Sequence, residues 1–153
     1  MVITFCGHSN FISEQGDESR LLSLLEEISK GHQIDFYLGG YGNFDHFAKE
    51  CAKKFKEKHP SARVIFITPY LNNALYERKG YFEKEYDEII YPEIEGVPLK
   101  FAISKRNEWM VKQADYVIGY VCTHYGGAYK TLLYAHKHKK PYTNLNKGNF
   151  ELY

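Results

Sequence analysis

The residues best suited to chemistry in this sequence are glycines followed by polar groups, at places where an apolar run gives way to a helical pattern. Leu38-Gly39-Gly40-Tyr41-Gly42-Asn43-Phe44-Asp45 puts three glycines within four residues. Glycine permits positive φ and lets a ligand come close to the backbone. The first amides of the helix that follows have no partner inside it, so they can donate to a phosphate at the positive end of its dipole. Asn43 or Asp45 is placed to cap that helix or to bond a ribose hydroxyl. Tyr125-Gly126-Gly127-Ala128-Tyr129-Lys130-Thr131 repeats the arrangement, with Lys130 and Thr131 in reach of an anion. Gly7-His8-Ser9-Asn10 supplies a further bend with three hydrogen-bonding side chains. Ser104-Lys105-Arg106-Asn107 opens a helix, where Arg106 is placed to grip a phosphate or carboxylate through two parallel hydrogen bonds.

Other chemistries find less support. Gly40 and Gly42 have the first spacing of the dinucleotide fingerprint GxGxxG, but Asp45 stands where the third glycine belongs, and no Gly-Lys-Ser/Thr marks a P-loop. The seven histidines are scattered, without HExxH or a carboxylate cluster, so no metal site and no resident cofactor is expected. Cys6 with His8, or Cys122 with His124, has the i, i+2 spacing that faces one side of a strand. Three cysteines in apolar stretches without CxxC spacing nevertheless read as buried free thiols.

Strands and helices in alternation must position these turns. Apolar runs over Val2–Cys6, Ile34–Leu38, Arg63–Thr68, Glu88–Tyr91, Tyr116–Val121 and Pro141–Leu145 read as strands. Their near-continuous hydrophobicity suits strands covered on both faces, as in a parallel sheet. Helices are expected around Leu21–Ile28, from Phe44 to about His59-Pro60, over Lys105–Gln113 and over Ala128–His138. The stretch Asn72–Tyr86 is the least regular, a partly helical and mobile excursion near the carboxyl edge of the sheet. The pattern predicts a Rossmann-like three-layer α/β/α sandwich with a mainly parallel central sheet, as one domain over residues 1–153.

The 20 basic and 19 acidic residues leave a formal charge of +1, which argues against a broad charged face and so against nucleic acid as a partner. No apolar run is long enough to span a bilayer and no leader precedes the first strand, so a cytoplasmic protein without a membrane partner is expected. Fourteen tyrosines and ten phenylalanines suggest an aromatic core and an assembly surface, hence a homo-oligomer, with some tyrosines left to stack on a base.

Phe5-Cys6-Gly7-His8, Gly39-Gly40-Tyr41-Gly42-Asn43-Phe44-Asp45, Lys105-Arg106-Asn107-Glu108-Trp109-Met110-Val111, Ala114-Asp115 and Gly126-Gly127-Ala128 occur in an order that resembles the SLOG superfamily, over essentially the whole chain. That superfamily includes the LOG ("lysine decarboxylase-like") enzymes, the DprA proteins and many small bacterial and phage members, of which the last are nearest. The resemblance implies a sheet that binds nucleotides or their derivatives at its carboxyl edge. Gly39, Gly40, Gly42 and Asp45 match the first glycine motif, Arg106 and Asn107 the helix-start motif, and Gly126 and Gly127 the second glycine motif. Members that cleave the N-glycosidic bond of nucleoside monophosphates carry a glutamate inside PGGxGTxxE. Here the turn continues Thr131-Leu132-Leu133 without an acid, and Ser9 stands where nearer relatives often have arginine.

The expected function is therefore nucleotide binding of a sensor-like kind, through Gly7, His8, Gly39, Gly40, Gly42, Asn43, Asp45, Arg106, Asn107, Gly126 and Gly127. The alternative is a nucleotide-processing enzyme, either a nucleoside monophosphate N-glycosidase (phosphoribohydrolase) or a deoxyribosyltransferase-like enzyme. It would draw its carboxylate from Asp45, Glu108 or Asp17.

Overall fold

The computed structural model describes residues 1–153, and its order of elements follows the βα alternation of the sequence. Strands β1 (Val2–Gly7), β2 (Asp35–Leu38), β3 (Arg63–Ile67), β4 (Glu88–Ile90), β5 (Tyr116–Tyr120) and β6 (Tyr142–Asn144) form one sheet in the order β4-β3-β2-β1-β5-β6. Every pairing is parallel, including Ile3 with Phe36 on one side of β1 and Thr4 with Val117 on the other. The chain winds outward from β1 to β4, then returns to lay β5 against β1. The direction reverses between β1 and β5, the kind of place where open α/β sheets hold ligands.

Helices α1 (Asp17–Ser29) and α2 (Asn43–Lys58) cover one face, and α5 (Ala102–Gln113) and α6 (Gly127–Lys137) cover the other. Strand β1 shows why both faces are apolar. Ile3 and Phe5 join the core under α1 and α2, whereas Cys6 joins Val117, Leu132 and Ala135 on the opposite face. Thr4, also buried, donates from Oγ1 to the Tyr37 carbonyl at 2.9 Å. In α2 the buried set Phe44, Ala48, Cys51, Ala52 and Phe55 follows helical spacing and fixes which side of the helix meets the sheet.

The excursion after β3 forms two short helices, α3 (Asn73–Glu77) and α4 (Lys79–Glu85). It is tied to α2 by Glu85, which meets Lys49 at 3.3 Å and Lys53 at 2.6 Å, and to β3 by Phe82 against Phe66. Two local expectations need correction. Helix α5 begins at Ala102, continuing a 3-10 turn over Leu99–Phe101, so Arg106 lies in its second turn and not at its start. Cys122 is exposed, because β5 ends at Tyr120 and leaves it in the following turn; Cys6 and Cys51 are buried free thiols as expected. No helix is long and apolar enough to cross a membrane.

Candidate functional site

A cleft of 480 Å³ opens at the carboxyl ends of β1 and β5. The sequence-derived candidates Gly7, His8, Asp45, Arg106, Asn107, Gly126 and Gly127 all line it. Gly39, Gly40, Gly42, Asn43 and Glu108 do not. Asn43 faces a separate shallow groove beside His46 and Glu50, and Glu108 pairs with Lys105 at 3.3 Å on the outer side of α5.

The turn between β2 and α2 spends its groups on the fold. Asp45 sits beneath it and accepts from the Tyr41 amide at 3.3 Å, with the amides of Gly39 and Gly40 close by. Burial pushes the Asp45 carboxyl up to about 6, against the pull of those amides and of the Arg106 guanidinium, which favour the charged form. The Asn43 amide, first in α2, donates to the Ser9 carbonyl at 3.0 Å. Gly42 has φ 90, and a Cβ there would lie 2.8 Å from the Ser9 Cα. At Gly7 a Cβ would run into the Phe44 ring. These glycines lock the β1 and β2 turns together.

Arg106 is also committed inward. It is 3% exposed, and its Nη1 donates to the carbonyls of Gly39 at 2.9 Å and Ile67 at 2.8 Å. Its Nε donates to Asn107 Oδ1 at 2.9 Å. The side chain thus ties the ends of β2 and β3 beneath the cleft floor, and burial lowers its proton affinity.

The turn between β5 and α6 is open by contrast. Gly126 has φ 92, and a Cβ on either Gly126 or Gly127 would meet nothing within 4 Å. The first bond back into α6 is from the Lys130 amide to the Gly126 carbonyl, so the amides of Gly127, Ala128 and Tyr129 precede the helical ladder. No side chain caps this end, and Thr131 Oγ1 donates instead to the Gly127 carbonyl at 2.7 Å. The loop is braced from outside. The Cys122 amide donates to His8 Nε2 at 3.0 Å, and His124 Nε2 donates to the Glu151 carbonyl at 2.7 Å. Accepting that bond leaves His8 neutral, in keeping with the lowering of its pKa by burial.

The Cys-His pairs do not form a nucleophilic couple. His8 is engaged with the Cys122 amide and His124 with Glu151, while burial holds the Cys6 thiol far above its ordinary range. No group of three or more histidine, cysteine or acidic side chains is arranged to hold a metal ion. Sequence reasoning did not single out Tyr41, Ile103, Met110 or Tyr125 as lining the cleft. The two tyrosines stand next to the glycines that were singled out. The two α5 residues show only the spacing of an amphipathic helix.

Neither a family model nor a curated protein matches the sequence. Solved structures of the same fold do. DNA processing protein A from Helicobacter pylori, described by its single-stranded DNA binding mode, aligns at a TM-score of 0.66 and 19% identity, over 99% of this chain and 67% of that one. DNA processing protein A from Streptococcus pneumoniae aligns at 0.64 and 14% identity, over 98% of this chain and 52% of that one. The protein TM1055 aligns at 0.54 and 15% identity, over 92% and 71%. The chain thus spans about two thirds of one DNA processing protein and half of the other. The argument from net charge against nucleic acid as a partner does not stand, since a protein of this fold is described as binding single-stranded DNA. A whole-chain charge averages over the surface and says little about one cleft. At these identities the likeness establishes one thing, a Rossmann-like α/β fold shared with the DNA processing proteins.

Proposed function

We propose that this protein binds a nucleotide or nucleotide derivative in the cleft at the β1–β5 reversal, with a phosphate on the first turn of α6. The observation that carries this reading is the open α6 turn. Three successive amides stand ahead of the helical ladder, at the positive end of a helix dipole, beside glycines whose Cβ positions face empty space. One of the SLOG-like motifs, Gly126-Gly127, lies in the same turn. In this reading Arg106 and Asp45 shape the cleft floor, and the β2–α2 glycines hold it rigid.

A screen of thermal stability tests the proposal, using nucleoside mono- and diphosphates, NAD, ADP-ribose, cyclic dinucleotides and a 5′-phosphorylated single strand of DNA. The strand belongs in the screen because the Helicobacter pylori protein of this fold is described as binding single-stranded DNA. A ligand at 100 times its dissociation constant adds about 2.7 kcal/mol to stability, a clear rise in melting temperature. No shift with any phosphorylated compound would sink the proposal.

Asp45 favours a second reading. It is a carboxyl with a pKa near 6 that lines the same cleft, and general acid-base work near neutral pH calls for such a group. Mass spectrometry of each incubated ligand separates the two. Intact ligand supports binding, whereas free base with sugar phosphate makes the protein an N-glycosidase of the phosphoribohydrolase kind, and loss of that turnover in Asp45→Asn assigns the carboxylate to Asp45.

A further inference from the structure

Tyr41 and Tyr125 occupy matching places on the two sides of the cleft. Each immediately precedes the glycine that caps a helix, Gly42 before α2 and Gly126 before α6. The capping glycines have nearly the same dihedrals, φ 90 and ψ 169 at Gly42 against φ 92 and ψ 171 at Gly126. The chain therefore leaves each cap in the same way and lifts the preceding tyrosine away from the helix. Tyr41 is 73% exposed and Tyr125 is 74% exposed, and both line the one cleft.

Their backbones are fixed while their rings are not. The Tyr41 amide is held by Asp45, and the Tyr125 carbonyl accepts from Thr123 Oγ1 at 3.2 Å. Nearby aromatic side chains are absorbed by the fold: Tyr120 packs against Phe11 and His8, and Tyr129 against His124. Exposing two large rings at the mouth of the cleft forgoes the burial that aromatic side chains ordinarily gain.

We propose that Tyr41 and Tyr125 are the base-binding lips of the cleft, closing on the two faces of a single nucleobase whose sugar carries a phosphate. The sheet sets the strands that carry the two tyrosines at a separation of the order of one base with a ring on either side. Tyr41 follows β2 and Tyr125 follows β5, with β1 between them, so their strands stand about 10 Å apart. Ring faces in contact with both sides of one planar base need a gap of about 7 to 8 Å. The inference rests on the nucleotide reading above and adds to it which part of the ligand the tyrosines hold. The same chemistry is offered by a free nucleotide and by the terminal nucleotide of a single strand.

Calorimetric titration of the whole chain with AMP, ribose 5-phosphate and a 5′-phosphorylated oligothymidylate tests it. AMP, the oligonucleotide or both are expected to bind more tightly than ribose 5-phosphate. Tyr41→Ala and Tyr125→Ala should each weaken the base-bearing ligand about tenfold, as loss of one stacking face does. They should leave ribose 5-phosphate unaffected, and Tyr41→Phe and Tyr125→Phe should retain affinity, since the ring and not the hydroxyl does the work. A response confined to AMP identifies a free nucleotide as the ligand, and one confined to the oligonucleotide identifies a strand end. If ribose 5-phosphate binds as tightly as AMP and the oligonucleotide, or both alanine variants bind base-bearing ligands at the parent affinity, the lips are overturned while the phosphate site survives. If none of the three binds, the lips are overturned, and the nucleotide reading falls with them only when the thermal screen is silent as well.

Discussion

Gly42 and Gly126 cap helices on opposite faces of the sheet with the same backbone geometry, yet one turn is closed and the other open. At the β2–α2 turn the amides face Asp45, the first helical amide is taken by Ser9, and added bulk at Gly42 would strike the Ser9 backbone. Neither helix has a side-chain cap, but at the β5–α6 turn no acid stands in the first turn and the glycines face space. One glycine-rich sequence thus serves close packing and the other serves access. Glycine spacing alone does not distinguish the two. The acid three residues after the cap does, because Asp45 supplies from within the chain the negative charge that a ligand would bring to α6.

The largest expected effect comes from giving both caps a Cβ. The φ near 90 with extended ψ is a region that side chains avoid, so Gly126→Ala should cost about 1 to 3 kcal/mol from backbone strain alone. Gly42→Ala carries the same strain plus a collision with Ser9, and should cost a further amount of about 1 to 3 kcal/mol. Urea unfolding of the two variants measures the difference directly. Equal losses would mean that the Ser9 contact yields freely, and that the β2–α2 turn is no more closed than its counterpart.

Asp45 sharpens the comparison through pH. Its folded pKa, raised from 3.8 to about 6, means that the folded state holds its proton more tightly than the unfolded chain. Stability then falls as pH rises from about 4 to 6, by up to about 3 kcal/mol for a shift of this size. The depressed carboxyls Asp35, Glu85 and Asp87 act in the opposite sense, contributing stability that is lost as pH falls below their unfolded values. Asp45→Asn isolates the first contribution. The difference in stability between parent and variant should change by this amount between pH 4 and 7, and a pH-independent difference would place Asp45 in water.

Much of this was legible in the residues. Continuous apolar runs gave the parallel sheet, and both glycine turns fell at its carboxyl edge, because a βα unit leaves no other place for them. What each turn does was not legible, since that depends on contacts remote in sequence. Gly42 is closed by Ser9, Gly39 by Arg106, and Gly7 by Phe44. The place of Arg106 on its helix differs from the sequence expectation because α5 starts at Ala102 and not at Lys105. The exposed Leu99, Phe101 and Ile103 show no clear inward stripe, so the 3-10 turn and the early start at Ala102 left little trace in the pattern. The charge argument failed because it treated a local property as a global one.

The smallest effect is the most selective, and it uses proline at the first position of each helix. Proline fits that position without breaking a helix and removes one amide donor. Gly127→Pro deletes a donor of the open turn, leaving the Lys130 to Gly126 and Thr131 to Gly127 bonds in place. Its stability should stay within about 0.5 kcal/mol of the parent, as for a change that touches no packed group. Its affinity for AMP should fall about tenfold, the effect of losing one charge-assisted bond of about 1.5 kcal/mol. Asn43→Pro deletes the amide that Ser9 accepts, so it should lower stability by about 1 kcal/mol and leave AMP affinity unchanged. Unfolding and titration on the same two proteins read both columns of this comparison. If the effects are exchanged, with Asn43→Pro weakening the ligand and Gly127→Pro the fold, the phosphate belongs at α2 and the assignment of open and closed turns is reversed.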